Sequence, residues 1–473
     1  MCSERSDMKK LKARDYVGGR VGGDDDVEGL PVVRKAAAGI DLGSEVHWVC
    51  APKVEGAGRE VAKFGATTPE LEKMAAWMEE RKVETVALES TGVYWIAPHE
   101  VLERHGFELV LVNTRELARV PGRKKTDRVD CKWIQRLHSC GLLTGSFRPP
   151  EAVCMLRTLV RDKGTLVAEA GDWLRRMQKS LDQMNVRVHR AVSDMDGVTG
   201  MAIIRAIVGG ERDARRLAQL RNGRCHKSEE EIAEQLSGHW REDHLFSLGQ
   251  ALKMYESIEE RIGEYEREIL RRLAEMEREE NRGQEAPKLS NQKKGQTIQA
   301  RGEEPLRQAL YRISGVDLAT IDAIGVGTIQ VVMSEYGPDL SRFPTEKQFV
   351  SHVTLAPNRP MSGGKPVRKK RRGSASTRVA AALRMAALSL RHSQTALGAY
   401  YRQIARRIGG DVAVFATARK LATLIYRLLR WGQPYIDQGA QAYEKQYQER
   451  RIGNLKASAD KLGFELTPKT CSA

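Results

Sequence analysis

The chain has 473 residues, 41% of them hydrophobic, so it is long enough for two or three domains and too apolar to be disordered throughout. Its formal net charge of +16 indicates a polyanionic partner, either nucleic acid or an anionic membrane surface. Residues 305–473 contain 27 Lys and Arg against 11 Asp and Glu, so this segment carries the whole excess and residues 1–304 are neutral.

Cysteine spacing and hydropathy exclude several classes of protein. The seven cysteines form no C-x-x-C pair, which argues against a zinc ribbon or a thioredoxin-type site. No stretch approaches 18 apolar residues, so we expect no membrane span. The first ten residues, MCSERSDMKK, lack the apolar core of a secretory signal. We therefore expect a cytoplasmic protein.

The N-terminal part of the sequence predicts an α/β domain. Residues 1–35 mix charge with glycine and are expected to form a mobile tail. Between residue 36 and about Pro150, short apolar runs alternate with helical patterns, which is typical of a mainly parallel sheet flanked by helices. The predicted strands are AAAGIDL, VHWVCAP, VETVALES and FELVLVN, and the predicted helices are PELEKMAAWMEERK and APHEVLERHG.

A long connector is predicted over residues 151–280. Apolar residues recur in 3-4 alternation from Val153 to Val188, broken only by Lys163, which favours a coiled-coil helix of roughly 54 Å. A second such seam runs from Leu252 to Met276. The two seams are compatible with antiparallel pairing within one chain or with a dimer. Residues 195–250 between them are expected to form a helical insert.

The last third of the chain is predicted to be a linker, a domain and a tail. Residues 281–304 are polar and indicate a linker. A mostly helical C-terminal domain follows over residues 305–435, with helices at 378–392 and 412–431 that are apolar on one face and basic on the other. Its segment LYRISGVDLATIDAIGVGTIQVVMSEYG is similar to a helix-hairpin-helix element, which would offer backbone N–H groups to phosphates. Residues 436–473 are expected to be a tail.

Four acidic residues suggest a metal-dependent nuclease. Asp41 and Glu89 end predicted strands, and ligands of open α/β sheets bind at the carboxyl ends of strands. Asp127 and Asp130 share one face of a following helix. Carboxylates suit Mg²⁺, and two such ions promote phosphoryl transfer. Each acid also has an ordinary interpretation: a strand-end Asp is usually a turn residue, and acids after the good N-cap Thr126 are favoured by the helix dipole.

A basic strip follows a serine within residues 358–378. Ser362 precedes two glycines that permit close approach to a phosphate. A serine needs an activating group to attack phosphate, and none lies nearby in the sequence, so the residues alone favour a flexible turn. The basic run is the better evidence for phosphate contact. The candidate nucleic-acid-binding residues are Lys124, Lys125, Lys365, Arg368, Lys369, Lys370, Arg371, Arg372 and Arg378.

Taken together, these features resemble the DEDD transposases of bacterial insertion sequences, which are bridge-RNA-guided recombinases. The stretches that carry the resemblance lie within about residues 36–430: GIDLGSE, ALESTGVYW, VNTRELARVPGRKKTDRVDCKWIQRL, ISGVDLATIDAIGVG, SRFPTEKQFVSHVTLAP and SGGK. The resemblance implies a ribonuclease-H-like (RuvC-like) N-terminal domain, a coiled-coil connector and a C-terminal transposase domain.

The resemblance also implies chemistry and partners. Asp41, Glu89, Asp127 and Asp130 would bind Mg²⁺, and Ser362 would attack a DNA phosphate and become covalently linked to it. The expected partners are donor DNA, target DNA and a structured guide (bridge) RNA. The expected assembly is a homodimer that forms a tetramer on DNA, located at the bacterial nucleoid in the cytoplasm.

Three other interpretations compete with this one. GIDLGS is similar to a phosphate-binding turn of sugar kinases and actin-like ATPases, but no second Asp-Gly-Gly loop follows. A Holliday-junction-resolvase-like nuclease would use two metal ions without a serine step, and it would leave the basic C-terminal domain unexplained. A non-catalytic nucleic-acid-binding protein would make the acids purely structural.

Overall fold

Short apolar runs of the N-terminal region form one mixed sheet. The structure is a computed structural model that describes residues 31–90, 92–113, 126–223, 225–357, 361–363, 365–366 and 377–467. The five strands of the sheet are ordered β3-β2-β1-β4-β5. They are β1 (Ala37–Leu42), β2 (Val46–Pro52), β3 (Arg59–Gly65), β4 (Thr85–Glu89) and β5 (Glu108–Val112).

The predicted mainly parallel sheet is wrong, because half of its pairings are antiparallel. β1 pairs in parallel with β4, and β4 with β5, whereas β1–β2 and β2–β3 are antiparallel. Only three residues separate β1 from β2, and a parallel crossover needs a dozen or more. The predicted strands are otherwise present.

Helices cover both faces of this sheet. They are α1 (Thr68–Glu80), α2 (Ile96–Arg104) and α3 (Asp127–Ser139). Ile40 and Leu88 pack with α1 and α2 on one face, whereas Ala87 packs with Ile134 of α3 on the other. The arrangement is consistent with a ribonuclease-H-like domain. It belongs to a compact unit, Met1–Arg148, and the rest of the chain forms a second unit, Pro149–Ala473.

The start of the first unit is only partly described. Residues 1–30 of the predicted mobile tail lie outside the described residues. The end of that predicted tail is attached to the domain, because the backbone N–H groups of Val33 and Arg34 donate to the Ser139 carbonyl at 2.8 and 2.9 Å. None of the described helices is both long and apolar enough to span a membrane.

Two long helices form the centre of the second unit. They are α4 (Glu151–Gln183) and α9 (Glu242–Glu275). Lys163 pairs with Glu266 at 3.0 Å, whereas Ala170 packs with Ile258, so the two helices run antiparallel. The two predicted seams therefore meet within one chain, and the coiled-coil assignment itself stays a prediction.

The predicted extension of the first seam to Val188 is wrong as a single helix. α4 ends at Gln183, and Asn185 adopts a left-handed conformation with φ of 57°, which an α-helix does not accommodate. Four short helices then pack against one end of the long pair, the last three of them within the predicted insert, and α9 also starts inside that insert. These helices are α5 (Val188–Ala191), α6 (Val198–Val208), α7 (Ala214–Ala218) and α8 (Glu229–Leu236).

In the rest of the second unit, the regular elements among the described residues are helices and one hairpin. The helices are α10 (Gln292–Ala300), α11 (Glu304–Ser314), α12 (Val326–Tyr336), α13 (Glu346–His352), α14 (Arg378–Ser389), α15 (Ala396–Ile408), α16 (Gly410–Trp431) and α17 (Gly439–Lys461). The two-residue strands β6 (Met361–Ser362) and β7 (Lys365–Pro366) form the hairpin.

The segments predicted as a linker and as a C-terminal tail each contain a helix. The predicted linker, residues 281–304, contains α10, where Ile298 is buried and the Lys294 ammonium donates to the carbonyls of Ala319 and Ile321. The predicted tail, residues 436–473, contains α17, which buries none of its residues. The polar composition of this segment gave no apolar pattern from which to predict α10, because the residue that attaches the helix to the domain is Lys294. α11 and α12 flank the predicted hairpin, and its helix-hairpin-helix assignment stays a prediction.

Candidate active site

Two of the predicted acids lie at the carboxyl ends of adjacent parallel strands, at the same edge of the sheet. The register pairs Ile40 of β1 with Leu88 of β4, so Asp41 and Glu89 come next in line on strands about 4.8 Å apart. Side chains alternate along a strand, and Ile40 and Leu88 face the core under α1 and α2. Asp41 and Glu89 therefore belong to the opposite face, which α3 covers.

A glycine allows α3 to lie directly on this face. A Cβ atom on Gly39 would come within 2.6 Å of the Gln135 Cα and 2.8 Å of the Cys131 carbonyl oxygen, closer than real Cβ contacts. The Gln135 side chain donates to the Ala37 carbonyl at 3.0 Å and fixes the same contact from the helix side. Close contact at Gly39 brings the first turn of α3 toward the end of β1, where Asp41 lies.

The first turn of α3 carries the other two acids. Asp127 is exposed, whereas Asp130 is only 6% exposed. The Thr126 carbonyl accepts the N–H groups of Val129 and Asp130, both at 2.8 Å, but the Thr126 side chain makes no capping bond. Asp130 is thus placed on the buried side of the helix, as a residue facing the sheet. The exposed Asp127 remains compatible with a helix-dipole role as well.

A buried thiol lies beside the acids. Burial, followed by the nearby Cys50 and Asp41, raises the pKa of Cys131 to about 12. The four acids offer carboxylate oxygens, the ligands that Mg²⁺ and other hard divalent cations prefer. Within the described ranges, no three acidic, His or Cys side chains already lie close enough to enclose a metal ion.

Ser362 lies in the second unit, in the short hairpin. It pairs antiparallel with Lys365, so these two residues are cross-strand neighbours. Gly363 has a φ of 57°, a left-handed conformation that favours glycine and closes the hairpin tightly. Backbone placement thus sets a hydroxyl-bearing residue opposite a lysine at the tip of a hairpin.

Most predicted nucleic-acid-binding residues lie outside the described residues. These are Lys124, Lys125, Arg368, Lys369, Lys370, Arg371 and Arg372. Arg378 is described: it is exposed and begins α14, whose N-cap Thr377 accepts the Ala380 N–H at 3.0 Å. Its exposure leaves the guanidinium accessible to a phosphate.

The sequence interpretation missed the buried histidines of the first unit, of which two bear on the site and its helix. His138 is buried at the end of α3 away from the acids and contacts Arg34 and Thr85. His47 lies on β2, opposite Leu42, and is 1% exposed. Each histidine occupies a position where the apolar pattern of its strand or helix predicts a hydrophobic residue. That departure from the pattern is the feature of the sequence that could have identified them.

Two segments of the chain match known families. Residues 38–186 match a family described as a transposase, of the DEDD type associated with IS110. Residues 316–402 match a family described as the transposase IS116/IS110/IS902 family. No curated protein matches the chain. The first segment includes all four acids and the second includes Ser362.

Proposed function

The chain belongs to the IS110 family of DEDD transposases and is a DNA transposase, and from this premise we propose that it cuts and rejoins DNA through a covalent bond to Ser362. The family implies dependence on a divalent metal ion, and we propose that the ion is Mg²⁺ held by Asp41, Glu89, Asp127 and Asp130. When bound, the metal would neutralise phosphate charge and lower the pKa of a coordinated hydroxyl.

One observation carries the metal assignment. The parallel register aligns Asp41 with Glu89, and the contact of α3 at Gly39 turns the buried Asp130 toward the same face. The four carboxylates form an all-oxygen donor set, which suits a hard divalent cation. The common face of Asp41, Glu89 and Asp130 at the edge of the sheet supports the assignment.

Rejoining without an external energy source favours a serine intermediate. As the Ser362 Oγ bonds to phosphorus, its proton leaves and the bond from phosphorus to a deoxyribose oxygen breaks. That sugar oxygen takes up a proton. The new bond between phosphorus and the serine oxygen replaces the broken bond between phosphorus and the deoxyribose oxygen. A hydroxyl of another DNA strand can therefore attack the phosphoserine ester and release the serine. Lys365 is the cross-strand neighbour of Ser362 and would supply a positive charge to offset that of the phosphate.

The serine step is tested by trapping the covalent intermediate. Labelled target DNA is incubated with wild type and with Ser362→Ala, and the products are separated on a denaturing gel. We expect a protein–DNA adduct with wild type and none with Ser362→Ala, although both proteins bind DNA. Ser374→Ala is the matched control and should form the adduct. An adduct with Ser362→Ala would place the nucleophile elsewhere, and cleavage by wild type without any adduct would favour the resolvase-like alternative.

The metal assignment is tested in the same assay. Asp130→Asn removes one carboxylate charge at nearly constant volume, so we expect loss of strand cleavage with nucleic-acid binding retained. Excess chelator should have the same effect on wild type. Full cleavage by the variant, or by wild type in chelator, would contradict the assignment.

We further propose that a structured guide RNA directs the enzyme and that the chain forms dimers that assemble into tetramers on DNA. The positive excess of residues 305–473 supports a nucleic-acid partner beyond the acidic site. RNA recovered with the purified protein should map to non-coding sequence beside its gene.

The oligomeric state is tested at the surface of α4. Val167 is 50% exposed in the middle of α4. If this surface joins two copies, Val167→Lys should lower the mass measured by light scattering.

A further inference from the structure

A cavity of about 220 Å³ opens at the carboxyl end of the sheet of the first unit. One wall is the turn after β1, and another is formed by Val93 and Tyr94, which lie between β4 and α2. The strands β1 and β4 carry Asp41 and Glu89 near their carboxyl ends. The cavity lies on the α1 and α2 side of the sheet, since His47 pairs with Leu42, whereas the acids lie on the α3 side, so a DNA strand bound at the acids would pass over this edge of the sheet to place a base in the cavity. The lining includes Gly43, Ser44, His47, Tyr94, Ala97 and Pro98.

Backbone geometry keeps this cavity open. The Gly43 N–H donates to the Val46 carbonyl at 3.0 Å. A Cβ atom on Gly43 would lie 2.6 Å from that same oxygen, so a larger residue would displace the turn that forms the wall. On the other side, Pro98 is buried and Ala97 offers only a methyl group. Small residues on both sides leave room for a flat group.

His47 supplies the polar part of the lining. The side chain is 1% exposed, and its Nδ1 atom has no hydrogen-bond partner among the described residues. Buried polar atoms in proteins are nearly always satisfied. Burial lowers the pKa of His47, so the ring is neutral at pH 7 and offers one donor and one acceptor. An unsatisfied neutral imidazole facing a cavity is suited to the edge of a neutral heterocycle.

The mouth of the cavity carries exposed apolar side chains. Val93 is 69% exposed and Tyr94 is 45% exposed. Aromatic side chains exposed in this way provide the stacking surfaces on which unpaired bases bind. The described residues of the lining include no Lys, Arg, Asp or Glu, which disfavours a phosphate or another charged ligand at the part of the cavity they form. The volume is below the roughly 300–1,000 Å³ of sites for drug-sized molecules, so a single ring system fits better.

We propose that this cavity, the nucleobase pocket, receives one unstacked base of the DNA strand whose phosphate is bound at Asp41 and Glu89. Tyr94 stacks on the base and His47 hydrogen-bonds its edge, as in other enzymes that hold an extruded base. The proposal rests on the proposed function, because it takes the acidic residues as the position of the scissile phosphate. Tyr94 and His47 are then positioning residues, which select where the strand is cut.

The proposal is tested by photochemical crosslinking of a DNA base to the protein side chain that it contacts. The full chain is irradiated with single-stranded DNA oligonucleotides of random sequence that contain 5-iododeoxyuridine, and crosslinked peptides are identified by mass spectrometry. We expect a crosslink on the peptide that contains Tyr94. Tyr94→Ala should lower its yield by about tenfold or more, and Tyr94→Phe should preserve it because the ring remains.

Two further variants keep the test decisive. Ala97 is exposed on α2, so Ala97→Trp should fold normally while filling the pocket, and we expect it to abolish the crosslink. Val54, 60% exposed between β2 and β3, gives the control Val54→Ala, which should behave like wild type. An unchanged yield in Ala97→Trp, or no crosslink at Tyr94 in wild type, would overturn the proposal. A crosslink with 5-iodouridine RNA alone would overturn it in favour of an RNA site.

The result is separable from that of the proposed function. The crosslink needs neither strand cleavage nor Ser362. A covalent serine adduct combined with no Tyr94 crosslink would refute only the nucleobase pocket. A Tyr94 crosslink in a protein that forms no adduct would refute only the serine step.

Discussion

His138 anchors the end of α3 that lies away from the acids. It is fully buried, and the Arg34 guanidinium donates to its Nδ1 at 3.0 Å. The Thr85 hydroxyl donates to the Glu108 carbonyl at 3.0 Å, so the His138 Nε2–H group donates to the Thr85 oxygen at 2.9 Å. These bonds require a neutral ring protonated on Nε2. Burial, with a contribution from Arg34, lowers the pKa of His138 to about 4.

Stability of the first unit should therefore fall in mild acid. Between pH 6.5 and about 4 the unfolded state binds a proton at this histidine that the native state does not, so stability is lost as the pH falls through this range. The slope from one such group is at most about 1.4 kcal/mol per pH unit. We expect urea unfolding at pH 7 and pH 5 to show a smaller pH dependence for His138→Gln than for wild type.

The difference between the two proteins is the informative quantity. Burial also lowers the pKa values of His47 and His99, and these residues contribute the same slope to both proteins. An equal pH dependence in wild type and His138→Gln would show that His138 is not held neutral. Loss of the anchor should also lower the stability of the variant at pH 7, since Arg34 and Thr85 lose a buried partner.

At the scale of elements, the contact between β1 and α3 decides whether the acids meet. Gly39→Ala would place a methyl group against the backbone of Gln135 and Cys131, where no side chain can rotate away. We expect α3 to shift, with a loss of stability of about 1–3 kcal/mol, typical of overpacking. Cleavage should fall further than stability alone explains, because Asp130 moves with the helix.

A matched glycine separates these two effects. Gly145 also lies in the first unit, and a Cβ atom there would meet only the Val110 side chain, at an ordinary 3.5 Å. Gly145→Ala should leave both the urea midpoint and cleavage close to wild type. If Gly39→Ala cuts DNA at the wild-type rate, the close contact at β1 does not position the acids.

The elements also show what the sequence could and could not predict. β1, β4 and β5 were predictable because their residues form apolar runs. β3 was missed because it has no fully buried residue and is held at the sheet edge by backbone pairing to β2. The true end of α4 was signalled by Asn185, a residue that tolerates left-handed backbone, but the apolar seam continues past it.

The site was predictable to a similar degree. Strand ends and the D-x-x-D spacing identified Asp41, Glu89, Asp127 and Asp130 as candidates, since periodicity alone places them on elements. The close contact at Gly39 depends on which helix crosses which strand, and no local pattern encodes that. Sequence spacing likewise could not bring His47 of β2 and Tyr94 before α2 to one cavity, because they are separated by two strands and a helix.

At the scale of the whole molecule, charge is divided unevenly along the chain. All of the net charge of +16 resides in residues 305–473. Nucleic-acid affinity should therefore fall steeply with salt, with a log–log slope of roughly 0.7–0.9 per phosphate contact. Replacing Arg368, Lys369, Lys370, Arg371 and Arg372 by Ala should flatten the slope by as much as about four if all five touch phosphate.

The control removes the same charge from the neutral part of the chain. Five arginines there are each at least half exposed and pair with nearby acids, so their loss should leave the slope almost unchanged. They are Arg175, Arg205, Arg216, Arg241 and Arg261. Equal slopes for wild type and the strip variant, measured by fluorescence anisotropy over a salt series, would show that the strip does not touch phosphate.

The antiparallel pair of long helices joins two separately packed regions. At one end Met177 and Leu181 enter the core built with the insert helices. At the other end Val153, Leu156 and Ile269 are buried, and Arg161 forms a two-point ion pair with Glu335 of α12. Between them, α4 buries only Ala170 along residues 157–176.

Such a molecule should open in parts rather than all at once. The free energy of local opening follows the amount of apolar contact that must be broken, and the middle of the pair has only the small cluster of Ala170 with Ile258 and Ile262. Within α4, amide hydrogen exchange should therefore be fastest across residues 157–169, although they are helical, and slower on both sides. The two packed regions at the ends of the α4–α9 pair would unfold as separate cooperative units, and the middle of the pair would open at a lower free energy than either. Uniform protection along α4 would instead indicate a single rigid rod.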